Sequence, residues 1–299
     1  MERKEIKQYD FAALYNLLGT DKTAHAMLGD NVAMLMKGNK NNIDKTLPYH
    51  TPMMLNEARI GIIRKGEANY IINLMPCQFK AGMIIFLNRG SIIQINQISE
   101  DFEMGGLGLS DYLLAALFHH RQDFPLLNQH QTMFVEANQE EMDVAEHLLQ
   151  AAWKMMHQED YSRDAVGNIF ASLLHYINHL NNNKQHYKQQ PVSHSREVFS
   201  QFIRLVNQHC HQHRMLSFYA SKICFSERYL GTLIKQESGQ TAKEWIDKAV
   251  VTTACVMLKH TDKTIAEISD ELNFANPSFF CKFFRRVTGL SPQSYREQK

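Results

Sequence analysis

A chain of 299 residues, 44% of them hydrophobic, can bury two separate cores, and its five cysteines, scattered and without a C-x-x-C pair, argue against a disulfide framework or a zinc knuckle. The opening MERKEIKQYD is too polar for a secretory signal, and no apolar run reaches the roughly 18 residues of a membrane helix, so a cytoplasmic chain without membrane contact is expected. The net charge of +1 conceals an imbalance: from Ser195 onward there are 15 Lys and Arg against 10 Asp and Glu, while the rest of the chain carries 17 against 21.

Residues 31 to 109 contain short apolar runs at strand spacing, VAMLMKG, RIGIIRKG, NYIINL, GMIIFL, SIIQINQI and FEMGGLGLS, most of them separated by Gly- or Asn-rich breaks. This is the pattern of a compact all-β sandwich or barrel, placed here at residues 1–110. Between Val32 and Leu109 the sole histidine is His50, so the close H-x-H pair of a metal-dependent β-barrel enzyme is missing. No cofactor and no metal site are expected.

The period then changes to helical. Ala145, Leu148, Leu149, Ala152, Met155 and Met156 form one stripe, and Val166, Ile169, Phe170, Leu173, Leu174 and Ile177 form a second at i, i+3, i+4, i+7, i+8 and i+11. The pair predicts a helical hairpin within residues 111–180, whose stripes either cover the β-domain or meet a second copy of the chain. A polar linker, 181–194, leads to the basic region 195–299. There His209, Cys210, His211 and His213 cluster near a helix end, but without a carboxylate or a third well-spaced ligand they read as dipole-compensating histidines.

The basic region says one thing twice. YLGTLIKQESGQTAKEW, Tyr229 to Trp245, and FFCKFFRRVTGLSPQSY, Phe279 to Tyr295, align at an offset of 50, matching Leu230 with Phe280, Ile234 with Phe284, Gly239 with Gly289, Thr241 with Ser291 and Trp245 with Tyr295. Each copy predicts a short helix, a tight turn, a second helix and a glycine stop. Ser226 caps the second helix of the first copy, and Asn276 with Pro277 opens that of the second. Upstream of the turn the offset is 49, Phe225 matching Phe274, so the second turn holds one more residue. Thr241 and Glu244 have capping-box spacing and start a helix that joins the copies; Thr264 and Glu267 repeat the device.

Through IAEISDELNFANPSFFCKFFRRVTGLSPQSYR, and from about Leu216 to Arg296, the sequence resembles the DNA-binding domain of the AraC/XylS family of bacterial transcription regulators. Two positions depart from the usual pattern: Asn273 stands where a glycine is common and Val250 where the linking helix commonly has arginine. The resemblance implies an α+β chain: a cupin-like N-terminal β-barrel with its helical hairpin, then an all-α double helix-turn-helix domain. It also implies double-stranded operator DNA as partner, RNA polymerase as a contact in the manner of an activator, a small-molecule effector sensed in the barrel, and a homodimer through the hairpin. A cupin-type enzyme, or a constitutive DNA binder with an inert barrel, are the alternatives.

Helical phase leaves Glu227, Arg228, Gly231, Thr232 and Lys235 outward on the first recognition helix and Asn276, Ser278, Lys282, Arg285 and Arg286 on the second, with Phe279, Phe280, Phe283 and Phe284 turned inward. By the resemblance, base readers occupy the positions of Arg228, Gly231 and Thr232, and of Pro277, Ser278 and Lys282. Arg228 and Lys282 can donate to guanine O6 and N7, with Thr232 and Ser278 supporting. Lys235, Arg285 and Arg286 are expected on phosphates.

Overall fold

The computed structural model describes residues 25–28, 31–118, 132–187 and 194–297. They fall into two compact units, one holding the described residues up to Tyr187 and the other those from His194 on.

The first unit is built on two antiparallel sheets. Strands β1 (His25–Leu28), β2 (Val32–Asn39), β4 (Ala58–Lys65), β7 (Met83–Leu87), β9 (Glu103–Leu109) and β10 (Met133–Glu136) form one sheet in the order β1-β2-β9-β4-β7-β10; β3 (Met53–Met54), β5 (Glu67–Ile72), β6 (Met75–Lys80) and β8 (Ile92–Ile98) form the other as β3-β8-β5-β6. All six expected strand runs are present. Strand β6 escaped the pattern because Pro76 interrupts it, and it lies at a sheet edge, where a missing N–H is tolerated. It pairs with β5 across Asn73 and Leu74, both at positive φ, as a tight hairpin turn requires. A short helix, α1 (Lys40–Thr46), interrupts the β-region and is closed by a reciprocal Asn39–Asn42 capping box.

Two corrections apply to the stretch expected to be a hairpin alone. Besides α2 (Asp111–Leu117), α3 (Gln139–Met156) and α4 (Arg163–Tyr187), it contains β10, which pairs with β7. The four residues of β10 are too few to show a period. Helix α4 also continues into the expected linker, because Lys184 donates to the Glu136 carbonyl and pairs with Glu141, giving the helix a tertiary anchor. Residues 188–193 of that linker lie outside the described residues.

Both apolar stripes of the hairpin are spent within this unit. Ala145, Leu149, Ala152, Met156, Val166, Phe170, Leu173, Leu174 and Ile177 are buried in one core with Ile60, Ile62, Ile84 and Phe86 of the six-stranded sheet. The hairpin is locked to that sheet by Arg64 of β4, whose guanidinium bonds both oxygens of Glu146 on α3 at 2.7 and 2.8 Å. Gly105 leaves the space: a Cβ there would lie 2.4 Å from the Arg64 guanidinium. The opposite face of the sheet contributes Ile63 and Ile85, and the residue before β9 contributes Phe102, to a second core shared with Phe79, Ile93 and Ile95 of the smaller sheet. Between the sheets is a cavity of about 190 Å³, walled by Ile63, Phe79, Ile85, Ile93 and Phe102 and lined also by the polar residues Arg59 and Asn42.

The second unit is all helical: α5 (His194–His209), α6 (Leu216–Lys222), α7 (Glu227–Ser238), α8 (Ala242–His260), α9 (Ile265–Glu271), α10 (Pro277–Thr288) and α11 (Pro292–Glu297). No helix among the described residues is long and apolar enough to cross a membrane.

Candidate nucleic-acid interface

The repeat seen in the sequence is a repeat of backbone. Helices α6 and α7 form one helix-turn-helix and α9 and α10 the other. In the first turn Phe225 N–H bonds the Ala220 carbonyl at 2.9 Å, and in the second Phe274 N–H bonds that of Ser269 at 2.9 Å, 49 residues on. Each turn has one residue in the left-handed region, Cys224 at φ 62° and Asn273 at φ 55°. Asn273 thus takes the backbone shape of the glycine usual at its position, and Cys224 takes the same shape in the first copy.

Recognition helices start and stop as their caps dictate. The Ser226 hydroxyl accepts from Tyr229 N–H at 3.2 Å, and the Asn276 side chain accepts from Phe279 N–H at 3.0 Å, with Pro277 in the first turn. Gly239 and Gly289 end them in the left-handed conformation, φ 73° and 79°. Helix α8 joins the copies. Its capping box is complete, Thr241 N–H donating to Glu244 at 2.6 Å and Glu244 N–H to the Thr241 hydroxyl at 3.2 Å, and that of α9 has the same form at Thr264 and Glu267. The backbone N–H groups of Thr241 and Thr264 hold the two carboxyls below the ordinary glutamate range. Val250, where an arginine is usual, is fully buried in α8, so apolar packing takes the place of that charge.

Of the expected contact residues, Arg228, Thr232 and Lys235 are exposed on α7 and Gly231 is half-buried; Pro277, Ser278, Lys282, Arg285 and Arg286 are exposed on α10. Among the described residues Arg228, Lys235, Lys282 and Arg285 have no ion-pair partner, which leaves four cations on the outward faces. Three of the other positions are partly committed. The Thr232 hydroxyl donates to the Arg228 carbonyl at 2.9 Å, Asn276 is used as a cap, and Arg286 pairs with Asp247 of α8 at 3.2 Å.

One expectation fails. Phe280 and Phe284 are fully buried and Phe283 is half-buried, but Phe279 is 58% exposed. It sits in the first helical turn, beyond the reach of the core that Phe280 fills against Phe274 at 5.3 Å. Its counterpart Tyr229 is 49% exposed. Adjacent aromatics read as one inward block in the sequence; the matching Tyr229 fifty residues earlier was the available sign that the position faces out.

A further cation was not singled out. Arg214, between α5 and α6, lies with its guanidinium 3.9 Å above the Phe274 ring, donates to the Asn273 carbonyl, and lines a recess with Phe279, Lys282 and Arg286. The histidine cluster has an aromatic role: His213 stacks on Phe218 at 3.8 Å, and Cys210 is buried. No group of three or more metal-ligating side chains occurs among the described residues.

Residues 219–298 match a helix-turn-helix domain family. The chain is 32% identical over 96 residues to the regulatory protein PocR of Salmonella typhimurium, covering 32% of each chain. It is 25% identical over 145 residues to the transcriptional activator RhaR of Klebsiella pneumoniae, covering 48% of this chain and 52% of that one. The chain thus spans about a third to a half of the length of these relatives. Among solved structures, ToxT from Vibrio cholerae O395 matches at 15% identity and a TM-score of 0.37, covering 89% of this chain and 95% of that one. The DNA-binding domain of AdpA, solved with a target DNA, matches at 22% identity and a TM-score of 0.31 over 33% of this chain and 89% of that one. The C-terminal region of this chain is a helix-turn-helix domain of the AraC family.

Proposed function

We propose that this protein is a sequence-specific DNA-binding regulator of transcription, controlled by a small molecule held in its N-terminal unit. The carrying observation is the pair of recognition helices with unpaired cations on their outward faces, joined by one helix. Helix α8 has 19 residues, about 28 Å at 1.5 Å per residue. With the width of the flanking helices added, that approaches one DNA turn of about 34 Å, so the two readers suit successive major grooves on one face of the duplex.

In this reading Arg228 and Lys282 read base edges, Thr232 and Ser278 support them, and Lys235, Arg285 and Arg286 hold phosphates. The two-sheet unit is cupin-like, and its cavity takes a compact, largely apolar effector, with Arg59 and Asn42 offering polar contacts. Effector binding shifts the population of states in which the readers of a homodimer engage paired sites or RNA polymerase. Since the hairpin stripes are consumed internally, the dimer contact uses the outward face of α3 and α4. The chain works in the cytoplasm and catalyses no reaction.

Selection of duplexes from randomised DNA, followed by footprinting, tests the reading. Protection of two major-groove segments about 10 base pairs apart per monomer is expected; a footprint of one segment, or no selected sequence, overturns it.

A further inference from the structure

The two helix-turn-helix units touch through more than the helix that joins them. Asn273, in the turn of the second unit, donates its side-chain amide to the carbonyl of Gln212 at 3.0 Å, in the segment leading into the first. Arg214, two residues on, returns the contact by donating to the Asn273 carbonyl and laying its guanidinium on Phe274 at 3.9 Å from the ring centre. The exchange is reciprocal and spans about sixty residues of chain.

Comparison of the two copies shows what the Asn273 side chain is for. Cys224 has the equivalent place in the first turn and the same left-handed backbone, yet its side chain is exposed and has no hydrogen-bond partner among the described residues. The turn therefore does not need an asparagine to form, and glycine would adopt this φ with least strain. What Asn273 adds is the amide that reaches the other unit. Helix α8 sets the distance between the readers, but each unit can still tilt about its own end of a single rod. A second attachment, away from the helix axis, restrains that tilt.

We infer that Asn273 and Arg214 are positioning residues that clamp the two readers at one relative orientation, and so restrict the protein to operators whose two half-sites have one spacing. The inference rests on the DNA-binding reading above for its consequence, while the clamp itself is a property of the free protein. A one-base-pair insertion moves the second half-site by about 3.4 Å and turns it by about 35°, and only a rigid pair of readers is sensitive to that.

The test uses the full-length chain, with duplexes selected from randomised DNA and re-made with one or two base pairs inserted between the half-sites. For the wild type each insertion is expected to weaken binding about tenfold or more. Asn273→Gly, which relieves the backbone and removes the amide, and Arg214→Lys, which keeps the charge but loses the planar fork, should each reduce that penalty to less than about threefold. Asn273→Gly should leave binding of the uninserted duplex within about threefold and the melting temperature within a few degrees. Were Arg214 only a phosphate contact, Arg214→Lys would retain the spacing penalty, and its part in the clamp would be overturned.

An independent measurement needs no DNA: the distance distribution between spin labels introduced at Gln236 and Gln293 should be narrow in the wild type and broadened in Asn273→Gly. An unchanged width overturns the clamp even if DNA binding is normal. A broadened width in a protein that selects no duplex upholds the clamp and overturns the DNA reading instead.

Discussion

Tyr229 and Phe279 stand fifty residues apart in the chain and at the same position of two recognition helices, and both are about half exposed beside the cations Arg228 and Lys282. Their neighbours Leu230 and Phe280 are fully buried. A large ring left in water at equivalent positions of both copies is a surface feature repeated with the fold.

From this pairing comes the first expectation. Tyr229→Ala and Phe279→Ala should change unfolding free energy by no more than about 0.5 to 1 kcal/mol, as surface substitutions do, whereas Phe280→Ala should cost about 3 to 5 kcal/mol through the cavity it leaves. Both surface variants should nonetheless weaken DNA binding, since a ring in the major groove meets thymine methyls and sugars. Urea unfolding and gel-shift titration separate the two effects; unchanged DNA affinity in both variants would remove the rings from the interface.

Arg228→Ala and Lys282→Ala should relax base preference in different halves of the operator, each by about 1 to 3 kcal/mol for a bidentate contact. Selection from randomised DNA with each variant reports the positions affected. If both variants lose preference at the same bases, one reader has not been assigned to each copy.

The phosphate contacts should differ from one another. Arg285→Ala is expected to weaken all sequences alike and to lower the salt-dependence slope by about 0.9, the loss of one released counterion. Arg286→Ala should weaken binding more than that slope accounts for, because it also leaves the Asp247 carboxylate without its second cation, held by Lys243 alone. Affinity measured across a salt series checks both.

The capping boxes of α8 and α9 make stability depend on pH. Glu244 and Glu267 titrate below their ordinary value of 4.5 because backbone N–H groups favour the carboxylate. A depressed folded pKa stabilises the protein above the unfolded value and ceases to do so as pH falls through the folded one. The melting temperature of the wild type should therefore exceed that of the Glu244→Gln, Glu267→Gln double variant at pH 7, with the gap shrinking as pH drops through 4.5 and closing once both carboxyls are protonated. A gap that persists at pH 2 would show that the carboxylate charge is not responsible.

Two glycines on the cavity wall make opposite predictions. A methyl at Gly61 would meet Met104 Cε at 3.4 Å and Ile85 Cβ at 3.9 Å, ordinary contacts, so Gly61→Ala should cost less than about 1 kcal/mol. At Gly106 the added carbon would fall 2.0 Å from the Ile60 carbonyl oxygen of the paired strand, and Gly106→Ala should destabilise the first unit by about 1 to 3 kcal/mol or more. Denaturant midpoints of the two variants decide between them.

Much of this architecture is carried by local chemistry. Caps and stops act within one turn of chain, so Ser226, Thr241, Thr264, Asn276, Gly239 and Gly289 place the helices of the second unit to within a residue or two. The 49-and-50 offset likewise reports both turns, because a helix-turn-helix buries the same positions each time it recurs. The six short apolar runs of the first unit announce strands by their length and by the Gly- or Asn-rich breaks that separate most of them. What no local pattern could show is how surfaces are shared. The hairpin stripes would look the same facing a sheet or a second copy, and only the core with Ile60, Ile84 and Phe86 decides for the sheet. Strand β10 is too short for a period and exists because β7 offers it an edge. Phe279 belongs to an aromatic block by composition and to the surface by geometry. Asn273 reads as a strained substitute for glycine until Gln212 and Arg214, about sixty residues earlier, are brought against it. A cap is satisfied by neighbours in sequence, but a face, an edge or a clamp is satisfied by whatever the rest of the chain folds onto it.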